Sequence, residues 1–121
     1  PRSMKAKPII IGAAAVALVA ILINDLVKKD AHALERVSDR VGLAVDCKIK
    51  KQDGDRWGVC RYKNGAPASV WLDRAGTWFA ANGNAIGVVD KLANVNDLQN
   101  LPAVMRDYVS PPIMPADLLE Q

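Results

Sequence analysis

Asp53-Gly54, with a cysteine on either side of it, constrains the fold of this chain more than any other feature. Asp-Gly between two alternating segments is a strong hairpin signal, because both central residues of a type I′ turn need φ > 0. With Asp53-Gly54 as a two-residue loop, Gln52 faces Asp55 and every paired couple sums to 107, so Cys47 falls opposite Cys60. Counting outward from the turn makes 47–60 a non-hydrogen-bonded pair, where Cα atoms approach to about 4.5 Å. That spacing suits a disulfide. The chain has only these two cysteines, so the register predicts a Cys47–Cys60 bridge. A persistent bridge implies an oxidising compartment.

The same register sets Asp46 against Arg61, a favourable cross-strand pair. Four β-like segments are expected in all, at Val45–Lys51, Arg56–Lys63, Ala68–Asp73 and Thr77–Ala81, separated by Asp53-Gly54, Asn64-Gly65 and Arg74-Ala75-Gly76. They predict a four-stranded antiparallel meander. In the second hairpin Lys63 is expected to face Ala66, with Pro67 at a non-hydrogen-bonded site and Arg56 opposite Asp73. Alternation then gives two apolar faces. One carries Val45, Cys47, Ile49, Cys60, Tyr62 and Trp71. The other carries Trp57, Val59, Val70 and Leu72, with Lys48, Lys50 and Arg61 on its basic side. The second face needs C-terminal helices or a partner to cover it.

Ahead of the strands, Val27, Ala31, Leu34, Val37 and Val41 recur at helical spacing, with charged residues on the opposite side and Gly42 as a C′ residue. Upstream lies Pro8–Asn24, an uncharged run of seventeen residues. A membrane span takes about 17 to 25 apolar residues, so the run is expected to be a transmembrane anchor continuous with the amphipathic helix. A cleaved signal peptide is the rival, but no small-x-small cleavage site follows the apolar core. A buried core helix is the other alternative, and a domain this small could hardly surround it. Gly12, Ala13, Ala17 and Ala20 form a small-residue stripe expected to pack against another membrane helix. Flanking Lys and Arg residues leave orientation open, and the disulfide decides it: N-terminus cytoplasmic, C-terminal domain extracytoplasmic.

Beyond the strands, Asn84 is the expected N-cap of a helix to about Ala93, and Pro102 starts a second short helix to Val109. Ser110-Pro-Pro-Ile-Met-Pro then breaks regular structure and leaves an extended tail. The fold class is therefore α+β, with a long N-terminal helix, the meander, short C-terminal helices and a Pro-rich tail. The chain divides into a basic flank (1–7), the anchor (8–27), an amphipathic helix (28–42), a disulfide-stapled domain (43–109) and the tail (110–121). Charge is unevenly spread: residues 1–63 carry thirteen Lys and Arg against seven Asp and Glu, whereas residues 64–121 carry three against six, for the net +3. A basic half of this kind can face an acidic partner surface or anionic lipid. No recognition motif for nucleic acid accompanies it.

Catalytic patterns are nearly absent. His32 is the single histidine and sits on a polar helix side, the serines have no neighbouring base, and no metal-ligand spacing occurs. Gly83-Asn84-Ala85-Ile86-Gly87 reads as a turn plus cap rather than a phosphate loop. An enzyme is not expected, nor a cofactor or small-molecule substrate. The candidate partner surface comprises Lys48, Lys50, Trp57 and Arg61 on the sheet, with Pro111, Pro112, Ile113, Met114, Pro115 and Leu118 in the tail. The leading expectation is a single-pass membrane protein serving as a small structural or accessory subunit of a multi-subunit envelope or virion-membrane assembly. Its expected partners are the bilayer and other membrane subunits or further copies of itself. The alternative is a membrane-tethered binder or inhibitor of another envelope protein, of the exclusion or immunity type.

Overall fold

The computed structural model describes residues 28–120 of the 121-residue chain. Among the described residues, 28–40 are helical and form α1. It is followed by β1 (Val45–Gln52), β2 (Asp55–Tyr62), β3 (Pro67–Arg74), β4 (Thr77–Ala80), α2 (Gly83–Leu92), β5 (Val104–Met105) and a 3-10 turn at Leu118–Glu120. Helix α1 ends where the sequence places its stop. Gly42 takes φ 84°, Leu43 N donates to Ser38 O at 2.9 Å and Gly42 N to Asp39 O at 3.0 Å. This is a Schellman closure, which needs a residue in the left-handed region at C′.

The five strands form one mixed sheet in the order β1-β2-β3-β4-β5. β1 to β4 pair antiparallel, and β5 joins β4 in parallel through Trp78 opposite Val104 and Phe79 opposite Met105. The expected four-stranded antiparallel meander is thus corrected by one parallel strand. The expected helix from Pro102 to Val109 is corrected at the same place. Trp78 N donates to Ala103 O at 2.9 Å, so β4 draws this segment out as a pairing partner, and intrinsic propensity yields to tertiary context.

The first hairpin keeps the expected register throughout, with Cys47 opposite Cys60 and Gln52 opposite Asp55. Asp53 and Gly54 take φ 54° and 82°, as a type I′ loop requires. Cys47 and Cys60 are disulfide-bonded. The second hairpin departs from expectation near its turn. Trp57–Leu72, Gly58–Trp71 and Val59–Val70 pair as expected, but the register shifts before Arg61, which faces Pro67. The loop has three residues, Lys63-Asn64-Gly65: Tyr62 N donates to Ala66 O at 2.9 Å, Gly65 N returns to Tyr62 O at 2.8 Å, and Gly65 takes φ 88°. A left-handed third residue is the bulge that such loops use to restore pairing.

Both predicted faces exist. Leu34 and Val37 of α1, with Ala85, Val88 and Leu92 of α2, cover Val45, Cys47, Cys60, Trp71 and Trp78. Arg56 ties this layer together, reaching Asp30 of α1 at 2.5 Å and Asp73 of β3 at 2.8 Å. Arg36 donates to Asn100 O and Arg40 to Gln99 O, both at 3.1 Å, clamping the loop after α2 against α1. Asn82, not Asn84, caps α2, its side chain accepting from Ala85 N at 2.9 Å.

The expectation of a long membrane-spanning N-terminal helix, and with it the single-pass topology and membrane localisation, is overturned: no helix among the described residues is long and apolar enough to cross a membrane. Over its described residues, 28–40, helix α1 carries seven charged side chains, and its apolar stripe is spent on the sheet. Residues 8–27, including Gly12, Ala13, Ala17 and Ala20, lie outside the described residues.

Candidate interaction surface

The second face of the sheet is covered by the chain's own C-terminal segment. Trp57, Val59, Val70 and Leu72 cluster with the fully buried Leu118, flanked by Met114 and Leu119. A Pro-rich stretch has few backbone donors to satisfy, so it can cross an apolar surface without a ladder of its own. Leu118 then fills the site, and its neighbours close a 3-10 turn through Leu118 N to Pro115 O at 3.2 Å and Glu120 N to Asp117 O at 3.1 Å.

The two halves of the sequence-predicted partner surface therefore meet each other. Lys50 Nζ donates to Leu118 O at 3.1 Å, Arg61 Nη2 donates to Leu119 O, and Gln52 Nε2 donates to Asp117 Oδ1. Trp57 is 3% exposed beneath the segment, and Pro112 is buried as well. Pro111 and Ile113 point outward, while Met114 and Pro115 are half-buried. Lys48 remains exposed beside the dock. Burial, with Arg61 and Lys48 adding repulsion, holds the Lys50 ammonium below its ordinary range. Backbone carbonyls of the C-terminal segment thus accept from both Lys50 and Arg61.

What the tail leaves outside is as informative as what it buries. Asp107 builds a tight turn, its Oδ1 accepting from Val109 N at 2.9 Å and Ser110 N at 2.8 Å, while Arg74 Nη1 donates to its Oδ2 at 2.9 Å and to Ser110 O at 3.1 Å. The Ser110 and Val109 amides, joined by Arg74, pull the Asp107 carboxyl below its ordinary value. Held this way, Tyr108, Val109 and Ile113 stand 77%, 95% and 88% exposed. The Arg106 guanidinium lies 4.6 Å from the Tyr108 ring centroid. The sequence pattern marks Ile113 but not Tyr108 and Val109, which it places at the end of the expected Pro102–Val109 helix.

His32 is an exposed helix residue whose Nδ1 lies 2.9 Å from Glu35 Oε1. The other Glu35 oxygen accepts from Cys47 N at 2.9 Å, capping an outward-facing donor on edge strand β1. Among the described residues no group of three or more His, Cys, Asp or Glu side chains could hold a metal ion. Comparison of the chain with protein-family models, with curated proteins and with solved structures gives no match.

Proposed function

We propose that this chain is a non-catalytic interaction module, a small accessory subunit of a multi-subunit assembly, which docks through its C-terminal segment. The observation that carries this reading is the exposure of Tyr108, Val109 and Ile113 on a backbone pinned by Asp107, Arg74 and the buried Pro112 and Leu118. Large apolar side chains that are both exposed and held in place meet a partner at little ordering cost, and aromatic anchors of this kind dominate binding energy.

The test is co-migration. The full chain, extracted from its source cells under mild conditions, is expected to travel with a larger complex. A variant carrying Tyr108→Ser, Val109→Ser and Ile113→Ser is expected to travel alone with its melting temperature unchanged. Free migration of the unaltered chain, or equal incorporation of the variant, overturns the reading.

A second reading, a binder that regulates another protein through the sheet, draws support from the groove of about 250 Å³ lined by Lys48, Lys50, Arg61 and Lys63, with Asp46 the one acid there. Lys48→Glu with Lys63→Glu then abolishes the partner contact, and the apolar triple variant leaves it intact.

A further inference from the structure

A cavity of about 160 Å³ opens between the end of α1, the β1–β2–β3 edge and one side of α2. Its volume is close to that of an engineered cavity of about 150 Å³ that holds benzene, a ligand of six heavy atoms. Three observations distinguish it from a packing fault. First, Ser38 lines it at 1% exposure, and its hydroxyl has no hydrogen-bond partner. Buried hydroxyls are almost always paired, so an orphan beside open space marks where a partner belongs. Second, Ser69, 2% exposed, accepts from Trp71 Nε1 at 2.9 Å, which leaves its own proton to donate. Third, Gly83 and Gly87, one turn apart on α2, form part of the lining, and a Cβ added at either would meet nothing within 4 Å. Internal packing therefore does not require glycine at these positions. At Gly87, inside the helix, glycine is among the poorest formers. What it does is keep the cavity floor open.

The lining also has a sign. Tyr62 and Lys91 add a phenol and an ammonium, Val88 adds an aliphatic wall, and no Asp or Glu takes part. Asn84, also in the lining, spends its amide N–H on Ala68 O at 3.1 Å, so the pocket is of mixed polarity, with hydroxyls inside and the Lys91 ammonium as its one charge. We propose that this cavity binds a small organic acid, a short apolar body that carries one carboxylate. The carboxylate accepts from Ser38, Ser69 and Lys91, and the body lies along Val88 over the two glycines. The site is separate from the C-terminal docking segment.

The test is a titration of the full ¹⁵N-labelled chain with butyrate, a six-heavy-atom acid, and with butyramide as its neutral match in size. Saturable shifts at the amides of Ser38, Gly83 and Gly87 are expected with butyrate, and affinity about tenfold weaker with butyramide, since a charge-assisted bond becomes a neutral one. Ser38→Ala is expected to weaken butyrate about tenfold. Gly87→Leu fills the open floor and is expected to abolish the shifts while the remaining spectrum stays native. Lys91→Gln, on the helix surface, keeps the test independent of folding and is expected to weaken butyrate alone. No saturable shift at these amides, equal affinity for the two probes, or unchanged butyrate binding in Gly87→Leu or Lys91→Gln overturns the proposal.

Discussion

Gly58 is the residue whose importance the sequence hides best. It sits in β2 as an ordinary interruption of an apolar alternation, with no turn or positive φ to explain it. In the fold, a Cβ there would lie 2.2 Å from Leu34 Cδ1 and 3.3 Å from Trp78 Cζ3. Leu34 is fully buried, so its methyl has no free space to enter. Gly58→Ala is expected to cost about 1–3 kcal/mol, the usual penalty for overpacking, measured by urea unfolding. In a Leu34→Ala background the same change should cost much less, and additivity of the two would show that they do not clash. The tryptophans make a second contrast at this scale. Trp71 is fully buried and bonded to Ser69, while Trp57 is 3% exposed with its indole N–H unpartnered. Trp71→Phe loses a made hydrogen bond, whereas Trp57→Phe removes an unmade one, so the first should be more destabilising by about 2 kcal/mol. Equal losses would mean that Trp57 has a partner after all.

At the scale of elements, legibility follows whether an element is specified locally. The register of the β1–β2 hairpin is legible in the sequence because Asp53-Gly54 sets both its turn type and its pairing. Helix α1 was readable from its stripe and from Gly42. β5 was not, since nothing between Ala103 and Arg106 alternates; its strand exists only through pairing with β4. The tail's path was half legible: its apolar residues were marked, but composition does not say that Leu118 finds Trp57 of its own chain. Leu118→Ala should therefore release the tail before the fold melts, costing about 2–5 kcal/mol locally. The readout is a red-shifted tryptophan emission that vanishes in a Trp57→Phe background. An unshifted spectrum would place the tail's hold elsewhere. The turn ahead of it should respond to acid. The Asp107 carboxyl lies below its ordinary 3.8, so its contribution is complete above that pH and is lost as pH falls through the lower folded value. The Val109 and Ser110 amides should shift together below pH 3.8; amides unmoved down to about pH 2 would remove the carboxylate from the turn.

For the whole molecule, the described fold is a sheet layered between α1 and α2 on one side and its own tail on the other. The β1–β2 side holds that tail by polar bonds, from Lys50 and Arg61 to backbone carbonyls and from Gln52 to the Asp117 carboxylate. The described core is built from short amphipathic elements. A domain of this size has few apolar residues to spare, which gives the disulfide weight beyond one hairpin. Cys47 and Cys60 are separated by 13 residues, and closing a loop of that order contributes about 3 kcal/mol in the chain-entropy account. Changing both cysteines to Ala should lower stability by about that amount, equivalent to about 4–8 °C in Tm per kcal/mol for a domain of this length. The register should survive, because the type I′ loop and the Glu35 contact to the residue 47 amide do not depend on sulfur. Cross-strand amide and Hα contacts by NMR distinguish the cases. A loss well under 1 kcal/mol would mean that the unfolded chain already holds the hairpin, so the turn, not the bridge, limits its freedom. A slipped register would reverse the argument and make the disulfide the device that selects 47 opposite 60.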